Sequence, residues 1–280
     1  MTQAHNLARV MAIVNRTPDS FYDKGATFEL DPAIQRAEQA LDDGASIIDI
    51  GGVKAGPGQH VDAAEEIERV VPIIAELHRR RPKALISVDT WRAEVAEAAI
   101  AAGAGLVNDT WAGWDPELIE VAGHHKVGYV CSHTGGVTPR TRPYRVHFDD
   151  VVADVISETT RLAERAADLG CPEELTFIDP THDFGKNTFH GLELLRRIDE
   201  IVATGWPVLM ALSNKDFVGE TLDRAVDQRV AGTLAATAWS AARGVAAFRV
   251  HEVAPTLDVI RMTAAIQGQM APLATTRGLA

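Results

Sequence analysis

Residues 84–104, ALISVDTWRAEVAEAAIAAGA, join the two patterns whose alternation decides the fold. The first seven, ALISVDT, are an apolar run too continuous for a half-exposed strand. Strands buried on both faces, as in parallel sheets, read this way. The following RAEVAEAAIAAGA is amphipathic at helical spacing and carries Gly103 near its end, a common helix stop.

The same unit recurs along the chain. The other apolar runs are ARVMAIVN, SIIDIGG, GLVNDT, VGYVCSH, LTFIDP, PVLMALS and VAAFRVH. Between them, DPAIQRAEQALDDGA places Ile34, Ala37 and Leu41 on one helical face, and AAEEIERVVPIIAELHRR does so with Ile67, Val70, Ile74 and Leu77. DPELIEVAGHH, FDDVVADVISETTRLAERAADLG, GLELLRRIDEIVATG and DRAVDQRVAGTLAATAWSAARG are read as helices in the same way. Asp31 and Asp115, each followed by proline, are predicted N-caps. Eight near-even strand–helix units without a composition shift predict an α/β protein, a single (β/α)8 TIM barrel, over a doubly wound open sheet. Residues 1–280 read as one domain, with 270–280 as a frayed tail.

Composition narrows the partners. A formal net charge of -12 disfavours nucleic acid and anionic membrane, both of which need basic clusters. No apolar run approaches the length of a membrane span, and the N-terminus lacks a signal-like apolar core. Cys131 and Cys171 lack metal-ligand spacing and read as reduced thiols. These features predict a soluble cytoplasmic protein with a small-molecule ligand.

In such barrels the active site gathers at the C-terminal ends of the strands. Here those ends are polar: Asn15, Asp89, Asn108 with Asp109, His133, Asp179, then Lys215 shortly after a strand, and Arg249 with His251. Helix capping explains any one of them, but not one at nearly every strand. Asp89, Asn108, Asp179 and Lys215 offer donors and acceptors suited to a flat heterocycle. Asn15, Arg249 and His251 offer donors suited to an anion. The histidines show no zinc spacing, and the His124–His125 pair reads as a solvated helix end.

Seven blocks resemble, in order, the motifs of the dihydropteroate synthase family: NRTPDSFYDKG, DDGASIIDIGG, SVDTWRAEVAEAAIAAGA, VNDTWAG, IDPTHDFGK, ALSNKDFVG and FRVHEV. The resemblance implies a (β/α)8 barrel, usually homodimeric. It implies condensation of 6-hydroxymethyl-7,8-dihydropterin pyrophosphate with p-aminobenzoate in a Mg2+-assisted step of folate biosynthesis. It also implies that Asp89, Asn108, Asp179 and Lys215 hold the pterin, that Asn15 sits at the metal and pyrophosphate, and that Lys215, Arg249 and His251 serve the chemistry. The late stretch VAGTLAATAWSAA, with small residues and Trp239, suits a helix interface between two copies.

The chain departs from the family at the rim. Where the family loop reads GGESTRPG, residues 51–58 read GGVKAGPG, so the threonine hydroxyl and arginine fork are gone. Lys54 keeps one charge, but a point charge does not replace a bidentate fork. DPGxGFGK becomes DPTHDFGK, and Thr181 is expected to crowd the site. SRKSF becomes SNKDF, and Asp216 is expected to repel an anionic second substrate. These changes predict a pterin floor that survives beneath an eroded rim. They describe a homologue with little or no synthase activity that still binds pterin-like or sulfa- and sulfone-like compounds. Two alternatives stand beside it. One is an active synthase in which Lys54 or Arg16 replaces the lost arginine; the other is a methyltetrahydrofolate-type methyltransferase, against which NRTPDSF and SNKDF argue.

Overall fold

Each of the eight apolar runs forms a strand in the computed structural model, which describes residues 7–17, 27–141 and 146–277. The strands are β1 (Arg9–Asn15), β2 (Ile47–Gly51), β3 (Leu85–Asp89), β4 (Leu106–Asp109), β5 (Gly128–Ser132), β6 (Thr176–Asp179), β7 (Leu209–Met210) and β8 (Ala247–Val250). All pair in parallel, in the order β6-β5-β4-β3-β2-β1-β8-β7. A single bridge between Ile178 and Val208 joins the two ends, so the sheet closes as a TIM barrel.

Around it run α1 (Leu30–Asp42), α2 (Ala63–Arg80), α3 (Ala93–Ala101), α4 (Leu118–His125), α5 (Val151–Leu169), α6 (Thr188–Arg196), α7 (Ile198–Val202), α8 (Asp216–Leu222), α9 (Val230–Ala241) and α10 (Val253–Ile266). Among the described residues, no helix is long and apolar enough to cross a membrane.

Strand side chains alternate between two apolar surroundings, which explains the continuous runs. Val10, Ala12, Val14, Ile48, Ile50, Ile86 and Val88 belong to the core shared with the buried helix faces. Met11, Ile47, Leu106, Val130, Phe177, Leu209 and Ala247 form a second cluster that fills the lower barrel. Cys131 and Cys171 are free and buried.

Both predicted N-caps are corrected. Helix α1 begins at Leu30 behind Glu29, so Asp31 lies in its first turn. Pro32 is tolerated there because first-turn N–H groups have no intrahelical acceptor. The Asp115 carboxylate accepts from the Glu117 N–H at 3.1 Å and from the Ala93 N–H at 2.8 Å. It therefore caps the start of α3, not α4. The stretch GLELLRRIDEIVATG divides into α6 and α7 at Arg197, and the late helix starts at Val230 after a 3-10 turn at Val226–Gln228. Helices α8 and α10 were not expected from the sequence. Residues 269–277 form no helix or strand.

Candidate functional site

A cavity of about 490 Å³ opens at the C-terminal ends of the strands. Asn15, Asp89, Lys215, Arg249 and His251 line it, as the strand-end pattern predicts. Asn108 and Asp179 do not. They lie beneath it, 1% and 4% exposed.

The centre of the floor is an ion cluster. Arg249, on β8, donates from Nε to Asp49 Oδ2 at 2.6 Å and from Nη2 to Asp89 Oδ2 at 2.7 Å. Asp49 is fully buried on β2 and also accepts from Ser87 Oγ at 2.6 Å and Asn108 Nδ2 at 3.1 Å. Sequence reasoning missed Asp49; the signal was a lone acid inside the apolar run SIIDIGG. Burial pushes the Asp89 carboxyl up, Arg249 opposes the shift, and the like charge of Asp49 adds to it. Arg249 is thus committed to two carboxylates of its own chain.

Asp179 is likewise occupied. Its Oδ1 accepts the Thr181 N–H at 2.7 Å. Thr181 stands at φ 50°, a left-handed conformation that a β-branched residue rarely adopts. Its hydroxyl donates to the Asp179 carbonyl at 3.1 Å and accepts the His133 N–H at 3.3 Å. The expected crowding by Thr181 therefore takes the form of a tight turn spent on Asp179. Lys186 Nζ props the same turn, donating to the carbonyls of His133, Thr181 and Phe184 at 2.9, 3.0 and 3.2 Å. Burial lowers its pKa to about 7. His133 is buried, with Nε2 2.6 Å from Asp154 Oδ1, and burial lowers its pKa to about 4.

The Lys215 ammonium is paired with the carboxylate of Asp183. Its neighbour Asn214, at φ 56° and fully buried, donates to Glu252 Oε1 at 3.0 Å. Ser213 Oγ donates to Glu252 Oε2 at 3.1 Å and lies 3.1 Å from His251 Nδ1. Asp216 is not an uncompensated charge, because Arg229 Nη1 holds it at 2.8 Å while donating to the Asn214 carbonyl. The repulsion expected from Asp216 is correspondingly reduced.

The glycine-rich loop borders the cavity from Val53 to Pro57. Arg69 grips its first foot at the Gly52 carbonyl (2.8 Å), and Arg92 its last at Val61 (2.7 Å). Arg140 reaches the Gly56 carbonyl at 3.4 Å. Val53, where the family has glutamate, packs against the cluster of Trp91, Trp111 and Val137, as do Val146 and Phe184. The rings of Trp111 and Phe184 have centroids 4.3 Å apart. Arg16 does not line the cavity, and its Nε and Nη1 have no partner among the described residues. Burial lowers its pKa, with Glu29 opposing. Arg16 is thus not among the cations that line the cavity.

Asn15 offers one neutral amide oxygen to a metal, and both nearby carboxylates, Asp49 and Asp89, are held by Arg249. Among the described residues no group of three His, Cys, Asp or Glu side chains could hold an ion. This donor set does not fit a resident Mg2+. A second cavity, about 260 Å³, lies at the opposite end of the barrel and has no ionisable lining.

Known proteins share this barrel and these motifs. The family described as pterin binding enzyme matches residues 11–251. The "inactive dihydropteroate synthase 2" of Mycobacterium leprae is 59% identical, covering 97% of this chain and 94% of its own. The dihydropteroate synthase of Haemophilus influenzae is 36% identical, covering 92% and 93%. Two solved synthases superpose over 94% of this chain. That of Xanthomonas albilineans with 4-aminobenzoic acid has a TM-score of 0.84 at 37% identity and is covered over 94% of its length. That of Yersinia pestis with a sulfonamide drug has a TM-score of 0.87 at 33% identity and is covered over 95%. On sequence and fold together, the chain belongs to the pterin-binding enzymes of the dihydropteroate synthase family.

Proposed function

We propose that this protein is a dihydropteroate synthase paralogue with little or no synthase activity, acting as one domain that retains a pterin-sized cavity. The carrying observation is the Asp183–Lys215 pair, which neutralises a strand-end cation at the mouth. Departure of pyrophosphate builds negative charge, and only cations that respond to that charge accelerate the step. Here Arg249 answers to Asp49 and Asp89, Lys215 to Asp183, and the loop arginine is absent. Losing one such contact costs about 10²–10³ in rate. The relatives named inactive agree with this reading.

Mg2+, where the resemblance implies it, would have to arrive with the pyrophosphate oxygens, since the chain supplies one amide. His251 and Asn15 border the space where an anion would lie.

The experiment is a direct assay of dihydropteroate formation. Turnover is expected to lie at least about a hundredfold below an ordinary enzyme rate of ~10 s⁻¹. Ordinary turnover would establish the active-synthase reading instead. The methyltransferase reading draws no support from the relatives, which are synthases by name.

The same proposal includes a homodimer through α9 and α10, which expose the apolar side chains Trp239, Met262 and Ile266. The Trp239 ring is already positioned, donating to the Leu195 carbonyl at 2.7 Å beneath the Arg243 guanidinium. Sedimentation of a monomer at micromolar concentration would remove the dimer from the proposal.

A further inference from the structure

We infer that Arg140, on the loop between β5 and α5, is an oxyanion-holding residue at the lip of the cavity, supplying from a second loop the guanidinium that the glycine-rich loop lacks. The inference rests on the reading of the cavity as a ligand site and concerns the outer end of that ligand.

The backbone gives the first argument. Thr138, Pro139, Arg140 and Thr141 form a tight turn, in which the Thr141 N–H donates to the Thr138 carbonyl at 3.3 Å and the Thr141 hydroxyl donates to the same oxygen at 2.7 Å. Proline holds the second position, and Arg140, at the third, stands at φ 60°. This is the pattern of a type II turn, whose third position calls for glycine or asparagine. An arginine there strains the backbone, and strain of this kind points to a task for the side chain.

The side chain gives the second. Arg140 is half-buried, and its Nε donates to the Gly56 carbonyl at 3.4 Å. Among the described residues no carboxylate pairs with it. A neutral carbonyl takes one N–H and leaves the charge unanswered, together with the Nη fork that matches a carboxylate or a phosphate. The cations inside the cavity are committed by contrast. Lys215 is bound to Asp183, Arg249 to Asp49 and Asp89, and Lys186 to three carbonyls.

Position gives the third. Gly56 and Thr141 both line the mouth, so Arg140 lies where their two loops meet. A Cβ at Gly56 meets nothing within 4 Å, so the space beside that residue is open. Position 56 is also where the family motif has arginine. The missing guanidinium is thus returned beside its place in the motif, from another part of the chain. The return is not equivalent for the chemistry. Arg140 does not itself line the cavity, so it meets only a group that projects to the lip. It holds such a group alike before and after a bond breaks at the floor, and uniform binding of this kind lowers a dissociation constant without raising a rate.

The test is calorimetric titration of the parent and two variants with inorganic pyrophosphate, with p-aminobenzoate and with neutral 6-hydroxymethylpterin. Arg140→Asn tolerates the positive φ but lacks the guanidinium, and is expected to weaken the oxyanion about tenfold. Arg140→Lys restores a point charge without the fork and should recover only part of that loss. The arm that responds, pyrophosphate or p-aminobenzoate, identifies phosphate or carboxylate as the group held. The side-chain nitrogen shifts of Arg140 should move on addition of that probe, which an arginine serving only to tie two loops would not show. The neutral pterin should bind all three proteins equally. An Arg140→Asn protein that folds and binds both oxyanions as the parent does, or a parent that binds neither, overturns the inference. Absence of pterin binding, with oxyanion affinity still dependent on Arg140, overturns the pterin-binding reading instead.

Discussion

The ammonium of Lys215 rests on the carboxylate of Asp183, 32 positions earlier in the chain. Two neighbouring strand-end loops thus cancel one another's charge at the mouth of the barrel. Replacing Asp183 by glycine, the residue of the synthase motif, releases Lys215. Because Asp183 is partly exposed, the variant should fold with a stability change within about 1 kcal/mol. Affinity for the pterin pyrophosphate should rise about tenfold by calorimetry. An unchanged affinity would mean that the pair does not gate the anion.

Asp49 supports Arg249 from below. Asp49→Asn leaves the guanidinium with Asp89 alone and weakens the bonds from Ser87 and Asn108. Breaking a buried ion pair is strongly destabilising, so a loss of about 3 kcal/mol is expected in urea unfolding. Asp89→Asn should cost less, because Asp89 keeps some solvent contact.

The two buried histidines should destabilise the fold below about pH 6.5, while the raised carboxyl of Asp89 works in the opposite direction over the same range. His182 and His133 are buried neutral, at about 3 and about 4 against 6.5 for an unfolded histidine. Between those values the unfolded chain binds protons that the folded chain refuses. The histidine contribution is therefore complete above pH 6.5. It is lost as pH falls through the window, at up to about 1.4 kcal/mol per pH unit for each ring. The difference between parent and His182→Phe urea midpoints, followed from neutral pH to about 4, should isolate one ring's share of this slope. An unaltered slope would mean that His182 is protonated in the fold.

The loop positions should respond differently to reversion. A Cβ at Gly56 meets nothing within 4 Å, and its φ lies outside the left-handed region. Gly56→Arg should therefore fold within about 0.5 kcal/mol of the parent, as surface changes do. It should add to the ester affinity gained by Asp183→Gly. Val53→Glu instead introduces a carboxylate among Trp91, Trp111 and Val137 and should destabilise by about 1–3 kcal/mol. A thermal melt of each single variant separates the two cases. Reverting all rim residues together would hide that difference.

The strands and the barrel were legible because side chains on both strand faces are buried, which leaves unbroken apolar runs of strand length. The candidate site was legible in outline because the fold rule places strand ends at one mouth. Its electrostatics were not. The partners of Lys215 and Arg249 come from other strands and loops, and such pairings leave no local pattern. Asp179 and Asn108 matched the motif yet lie under the cavity, where Asp179 Oδ1 accepts the Thr181 N–H and Asn108 Nδ2 donates to Asp49. Helix α10 starts behind Glu252 with no side-chain cap, so its beginning has no local signature. Helix α8 spans only 7 residues, too few to display a period.

The closure between β6 and β7 has its own consequence. Every other junction of the barrel is a ladder of at least two register pairs, but this one is a single bridge at Ile178 and Val208. Fluctuations that part backbone bonds locally start where fewest must break at once. The barrel therefore has a built-in slit, and the two segments beside it lead to Asp179 and to Lys215. The turn that covers Asp179 and the carboxylate that holds Lys215 lie on the chain leaving β6, so a transient opening admits solvent first to the groups that the resting state keeps shut.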